Sequence, residues 1–292
     1  MGEVMYLLGA PDPEMARIER ALDACAIPHE YARAGGRRVT PETAYRADAI
    51  RVPVGTRVLV QVECAPAVRP RGLAVRVIDH HRPGDPGYES TPPWYMSASS
   101  LGQVLARMAR DDMAPAALLA VGVVVPPPVD TREAWYAGGR WYAPSGDTRL
   151  CAAADHCLSA AYLGRCPGVD PATLYEWRLA ERAAFQRRPV GELLADGVAA
   201  LAALAAAPRV VIAVEAVADL TAPGQPGTVP ELPDAVGLAR VGALYRMVKH
   251  GRPKIGLLGA GAEAISAWQA EQRALGRETW GVPARGYAGA WE

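Results

Sequence analysis

Apolar and polar positions along the chain sort into alternating strand-like and helix-like stretches. Residues 4–8 form a short apolar run of the kind a buried strand carries. From 13 to 25 the spacing changes: Met15, Ile18, Ala21, Leu22 and Cys25 recur on one helical face, with Asp12 placed to cap the helix and Pro13 to open it. Runs 57–62 and 73–78 have strand composition and are separated by a segment rich in Pro and Arg. Helical spacing returns at 97–108, and a further apolar run at 118–125 is closed by Pro126-Pro127-Pro128. Aromatic residues around Gly138-Gly139 predict a hairpin or flap over 135–142. Helices are expected at 155–162, at 170–185 with Asp170 as cap, and at 191–207.

After Arg187-Arg188-Pro189 the pattern restarts. A strand is expected at 210–217, a Pro/Gly loop at 221–233, a helix at 233–241, paired strands at 243–248 and 255–258, a helix at 263–275 and a glycine-rich tail. Strand–helix alternation in the first half predicts an α/β layer with a largely parallel sheet flanked by helices. The second half reads as a smaller α/β or α+β domain. The division is placed at 1–188 and 189–292.

Composition narrows the function classes. The chain has 292 residues, half of them apolar, which is enough for a substantial core. Lys+Arg and Asp+Glu balance at 31 each, which removes the basic footprint that a long duplex requires. No apolar run reaches the ~20 residues that span a bilayer, and the apolar opening at 5–8 is too short for a signal segment. The expectation is a cytoplasmic protein with no membrane partner. Five cysteines, an odd number, argue against a disulfide framework.

The candidate chemistry lies in the histidines. Only five occur: His29, His80, His81, His156 and His250. Asp79-His80-His81 directly follows the run 73–78, so it sits at the C-terminal end of an expected strand, the edge where open α/β sheets bind ligands. Carboxylate plus imidazole is a ligand set for Mn²⁺, Zn²⁺ or Fe²⁺. Asp155-His156 is a second such step, readable also as an ordinary helix cap. A competing zinc set, Cys151, His156, Cys157 and Cys166, has a spacing unlike the usual knuckles and ribbons. Trp94, Tyr95, Trp135, Tyr136, Trp141 and Tyr142 read as core or flap residues, with base stacking as the alternative.

The segment Val77-Ile78-Asp79-His80-His81, followed by the small-residue stretch Ser97-Ala98-Ser99-Ser100-Leu101-Gly102, resembles the DHH phosphoesterase superfamily. That group includes RecJ-type exonucleases, nanoRNases, cyclic-dinucleotide phosphodiesterases and family II inorganic pyrophosphatases. The resemblance implies a DHH-like first domain and a smaller substrate-binding domain. It implies His80 as a metal ligand, His81 as the group that contacts the substrate phosphate, Asp79 as a ligand or as the residue that orients its neighbour, and Asp155 as the last metal-binding Asp. Arg285-Gly286-Tyr287-Ala288-Gly289 is loosely similar to the family's glycine-rich substrate loop, and Gly259-Ala260-Gly261 is a second candidate. With His156, residues Arg285, Gly286 and Gly289 complete the expected substrate contacts.

Two motifs depart from the family. Its opening His and Asp-x-Asp are replaced by Asp12-x-Glu14 with no His, and Glu63 stands where a strand-end Asp bridges two metals. Asp12 and Glu63 are therefore the stand-in ligands, and one Mn²⁺ or related ion is expected rather than two. The implied activity is metal-dependent hydrolysis of a short oligonucleotide, a cyclic dinucleotide or another nucleotide. The alternative is a catalytically degenerate nucleotide-binding or interaction module, and an oligomer is compatible with either.

Overall fold

The computed structural model describes residues 3–68, 71–110, 115–125, 134–226, 229–249 and 251–292. It is a mixed α/β chain that divides into two compact units: 1–90 with 94–156, and 157–292 with 91–93. Residue 188, the expected line between domains, lies within the second unit. Pro126-Pro127-Pro128 and His250 lie outside the described residues.

In the first unit, β1 (Val4–Leu8) leads into α1 (Pro13–Ala24), which Asp12 caps by accepting a hydrogen bond from the Met15 amide. The chain returns through β2 (His29–Tyr31) and a small hairpin, β3 (Arg33–Ala34) and β4 (Arg37–Arg38), to β5 (Val58–Val62) and β6 (Ala74–Ile78). These strands form a parallel sheet in the order β2-β1-β5-β6. The order reverses direction between β1 and β5, so a switch point opens beyond their C-terminal ends, where ligands bind in such sheets. Met5, Leu7 and Leu59 pack with Ala32, Val39, Ala44 and Ala47 on one side of the sheet. β6 is the edge strand, and Val77 is exposed on it.

Helices α2 (Tyr95–Ala98), α3 (Ser100–Arg110) and α4 (Pro115–Val121) follow, then β7 (Gly122–Val125), β8 (Trp135–Ala137) and β9 (Arg140–Pro144) in a three-stranded antiparallel sheet. The hairpin expected at 135–142 is present, but the apolar run 118–125 divides into the end of α4 and a strand. Among the aromatics, Tyr95 and Tyr142 are fully buried, while Trp94 and Tyr136 are exposed.

α5 (Gly146–Tyr162) continues past the boundary between the units and leaves helical geometry at Cys157. α6 (Pro171–Gln186) begins at the Asp170 cap as expected, and α7 (Val190–Ala206) follows. The second unit then builds a six-stranded sheet from β10 (Arg209–Ile212), β11 (Glu215–Asp219), β12 (Ala243–Lys249), β13 (Arg252–Leu258), β14 (Thr279–Trp280) and β15 (Tyr287–Trp291), in the order β10-β11-β12-β13-β15-β14. Helices α7 and α8 (Leu232–Ala239) cover one face through Ala200, Leu204, Leu232 and Val236; α9 (Ala262–Ala274) covers the other through Ile265 and Trp268.

Two expectations are corrected here. The stretch 210–217 is two antiparallel strands, because the chain turns at Ala213-Val214 with Ala213 in a left-handed conformation. The glycine-rich tail is two paired strands, with β15 between β13 and β14. Among the described residues no single helix is long and apolar enough to cross a membrane.

Candidate metal centre

Three strand ends converge in the first unit. Parallel pairing sets Leu8 beside Val62 and Val62 beside Ile78, so the residues that follow each strand emerge at one edge. They are Asp12 and Glu14 after β1, Glu63 after β5, and Asp79, His80 and His81 after β6. Close approach of the first two segments depends on Gly9, where a Cβ would lie 2.6 Å from the Glu63 carbonyl oxygen. Glu63 itself adopts a left-handed φ of 51°. α5, which begins at Gly146 and not at 155 as expected, brings Asp155 and His156 to the same place just before its break at Cys157. Arg17 of α1 fixes that helix by a two-pronged bond to Asp147 at 2.6 and 2.7 Å.

His80 is the centre of the cluster and is almost fully buried. Its Nε2 lies 2.9 Å from Asp155 Oδ2, 3.3 Å from Glu63 Oε1 and 3.9 Å from Glu14 Oε2. Its Nδ1 pairs with His156 Nδ1 at 2.8 Å. Glu63, His80, His81 and Asp155 present one donor atom each within 4.8 Å of one another, the geometry of a cation site. Glu14 gives its other oxygen, Oε1, to the Leu101 amide at 3.0 Å.

Asp79 plays a different part. Its Oδ1 accepts from the His80 and His81 amides at 2.7 and 3.1 Å and pairs with His81 Nδ1 at 2.9 Å; its Oδ2 accepts from the Tyr45 hydroxyl at 2.9 Å. With both oxygens occupied, Asp79 shapes the turn and orients His81. Burial raises its pKa, but the His81 and Tyr45 hydrogen bonds outweigh this and hold it below the ordinary value. Burial also opposes charge on His81, but the bond to Asp79 and the nearby Glu63 and Asp155 carry its pKa up to about 9. The His81 ring is about half exposed and Asp155 is accessible as well, so these two are where a solute can reach the cluster.

The carboxylates show the strain of this crowding. Burial, then Glu63 and Asp155, push Asp12 up to about 8. Burial, then Asp155 and Glu63, push Glu14 well above its ordinary value. Asp155 goes the other way: burial raises it, but the His80 hydrogen bond and charge more than compensate. Glu14 Oε2 and Glu63 Oε1 are buried without a well-formed hydrogen bond. Buried carboxylates that lack donors, gathered around one imidazole nitrogen, fit a divalent cation that prefers oxygen and nitrogen donors.

His80, His81, Asp155, Glu63 and Asp12 are thus gathered in one place. His156 sits behind His80, where it orients that ring instead of facing a solute. Glu14, the second acid of the Asp12-x-Glu14 motif, belongs to the cluster too, since its carboxylate reaches both the start of α3 and the His80 ring. Among the described residues the groups with cation-site geometry include no cysteine. Cys157 and Cys166 instead face each other at 3.0 Å. A second group, Glu19, Asp23 and His29, lies on the surface of α1 and β2.

The glycine-rich candidates belong to the second unit. Gly259 donates to the Gly286 carbonyl at 2.8 Å, so the two loops meet. Gly261 opens α9 and donates to Glu215 at 2.7 Å. Gly286 packs against Ser159, Gly289 lies under the Trp280 ring, and Arg285 closes a short 3₁₀ turn. Comparison with protein-family models, curated proteins and solved structures gives no match to this chain.

Proposed function

We propose that this chain is a divalent-metal-dependent phosphoesterase or phosphohydrolase of the DHH-like type, acting on a short oligonucleotide, a cyclic dinucleotide or another nucleotide. One observation carries the reading: the buried His80 nitrogen is ringed by Asp155, Glu63 and Glu14, with two carboxylate oxygens left without donors. A parallel sheet whose switch point bears the cluster, and a second compact unit, support the DHH-like architecture.

His80, Glu63 and Asp155 would hold one ion, for which Mn²⁺ is the proposed identity. Such an ion supplies Lewis-acid polarisation of a phosphoryl oxygen and makes a nucleophile available near neutral pH. The chain's own residues do the rest. To offer a bare Nε2, His80 keeps its proton on Nδ1 and donates it to His156, which fixes the tautomer. His81, raised to about 9, carries positive charge at neutral pH. Asp79 holds its Nδ1 and leaves the exposed side of the ring to donate to a phosphate oxygen, where charge develops.

A second reading, a degenerate site that binds a nucleotide without cleaving it, is favoured by one specific observation. Asp12 spends Oδ1 on the Met15 amide, and both Asp79 oxygens already accept hydrogen bonds, so uncommitted donors for a second ion are few. The test is Mn²⁺-dependent phosphate release and nucleotide cleavage across short oligonucleotides, cyclic dinucleotides and pyrophosphate, comparing wild type with an Asp79→Ala/His80→Ala variant. Turnover that requires Mn²⁺ and disappears in the variant is the expected result. Calorimetric Mn²⁺ binding with no turnover on any substrate would replace it with the second reading.

A further inference from the structure

Two cysteines of the second unit meet in a way that the metal chemistry does not use. Cys157 and Cys166 are both buried, and their Sγ atoms lie 3.0 Å apart. A disulfide holds its sulfurs about 2.0 Å apart, so closing this pair into a bond needs a movement of about 1 Å.

The backbone brings the two thiols together. α5 ends in a Schellman turn: the Arg165 amide donates to the Ala160 carbonyl and the Gly164 amide to the Ala161 carbonyl, both at 3.0 Å, with Gly164 left-handed at a φ of 70°. That turn folds the chain back on the end of the helix, so Cys166 returns beside a residue nine positions earlier. The Cys166 carbonyl then accepts from the Val169 amide at 3.2 Å, in the turn that leads to the Asp170 cap of α6. Cys157 is where α5 leaves helical geometry, with φ −153° and ψ 50°, so its side chain is released from the direction that a helix imposes. Two backbone turns hold Cys166, and the break in α5 sets Cys157 against it.

A metal is the other use for paired thiols, and it needs further ligands. Among the described residues the groups with cation-site geometry include no cysteine. His156, the imidazole next in sequence to Cys157, spends its Nδ1 on His80. The geometry favours a bond between the two sulfurs.

We infer that Cys157 and Cys166 are a disulfide-forming pair, a covalent staple across the turn between α5 and α6, made as the chain folds in the presence of a small disulfide oxidant. Burial shields both sulfurs once the unit is folded, so the exchange belongs to the stage when the turn is still open to solvent. With oxidised glutathione as the oxidant, one cysteine thiolate attacks a glutathione sulfur and expels the first glutathione thiolate. The second cysteine thiolate attacks the mixed disulfide and expels the other. Two cysteine thiols are oxidised, one glutathione disulfide is reduced, and the two thiol protons end on the two glutathiones. The inference does not rest on the proposed hydrolase activity.

The test is to refold the full chain in equimolar oxidised and reduced glutathione, alkylate remaining thiols in denaturant, and map the peptides by mass spectrometry. Cleavage after Arg165 separates the two cysteines, so the bond appears as two joined peptides. Cys151 shares a peptide with Cys157, and Cys151→Ser separates the two readings. The expected result is a Cys157–Cys166 link that survives Cys151→Ser and disappears in Cys166→Ser. The oxidised protein should also melt about 5 °C above its reduced form, a gap that Cys166→Ser closes, with folding checked by circular dichroism. Full alkylation of both cysteines in the refolded wild type overturns the pair, and so does a link from either one to Cys25, Cys64 or Cys151. Stoichiometric zinc that protects the thiols and is lost in Cys166→Ser replaces the disulfide with a metal. Equal melting temperatures for the oxidised and reduced forms overturn the staple.

Discussion

Both units bury carboxylates, and they satisfy them in opposite ways. In the second unit Asp234 receives Arg178 through bonds of 2.5 and 2.9 Å and also the Tyr162 hydroxyl, while Glu231 receives Arg182 through two bonds of 2.6 Å. Each acid there meets a guanidinium fork, which matches its charge and its geometry. In the first unit Glu14, Glu63 and Asp155 share one imidazole, and no Arg or Lys forms a recorded ion pair with any of the three among the described residues. One arrangement is complete within the chain, and the other leaves donor atoms grouped as a cation site requires. The identity of the partner, more than the burial, separates a structural acid from a functional one.

The comparison breaks most sharply at the structural pair. Arg178→Ala leaves Asp234 buried with only the Tyr162 hydroxyl, and loss of one partner of a buried ion pair costs about 3–5 kcal/mol. Denaturant unfolding of the second unit should show that loss, with Mn²⁺ affinity unchanged. A cost below about 1 kcal/mol would mean the pair is worth no more than an exposed one.

His80→Ala acts on the other side of the comparison. Removing the central donor should weaken Mn²⁺ binding at least about a hundredfold by calorimetry, more than the roughly 10- to 100-fold typical of an orienting partner. His156→Ala, which removes only the orienting partner, should fall within that range. Equal effects from the two variants would show that His80 is not the ligand.

What was legible in the chain follows the same division. Local signals gave α1 and α6 through Asp12-Pro13 and Asp170-Pro171, and the β12–β13 hairpin through the paired apolar runs. They failed where no punctuation marks the turn: Ala213-Val214 carries neither Gly nor Pro, so β10 and β11 read as one strand. β14 and β15 were hidden because their glycines make room for Trp280 and so resemble a loop. At the candidate metal centre, Asp79-His80-His81 was visible as a polar step at a strand end. The expectation that Asp155 is a ligand came from resemblance. Glu14 was legible only as half of the Asp12-x-Glu14 stand-in, while the turning of His156 onto His80 depends on a contact 76 residues apart in sequence, which no local pattern encodes.

Glu63→Gln sharpens the comparison, because its two effects should have opposite signs. It removes one charge from a crowded cluster, so the metal-free protein should gain about 1 kcal/mol, while Mn²⁺ affinity falls about tenfold. A purely structural Glu63 would lower stability and leave Mn²⁺ affinity alone.

The smallest expected effect is a slope with pH. Asp12 is raised to about 8 and His81 to about 9, so both bind protons more tightly in the folded chain than in the unfolded one. For such groups stability is present at low pH and is lost as pH rises, for Asp12 from about 4 up to 8 and for His81 from about 6.5 up to 9. Asp79 and Asp155 are held below their ordinary values, so their contribution is lost only in acid. Between pH 6 and 8.5 the metal-free protein should therefore lose stability, by about 1 kcal/mol after discounting for partial exposure of the cluster. The charge of Mn²⁺ held by His80, Glu63 and Asp155 opposes protonation of the neighbouring Asp12, so saturating Mn²⁺ should stabilise the protein more at pH 8.5 than at pH 6 and flatten the slope. Thermal denaturation at the two pH values, with chelator and with Mn²⁺, measures both slopes. Parallel slopes would show that the crowded carboxylates do not receive the ion, and the first unit would then have to satisfy its buried acids as the second does, from within the chain.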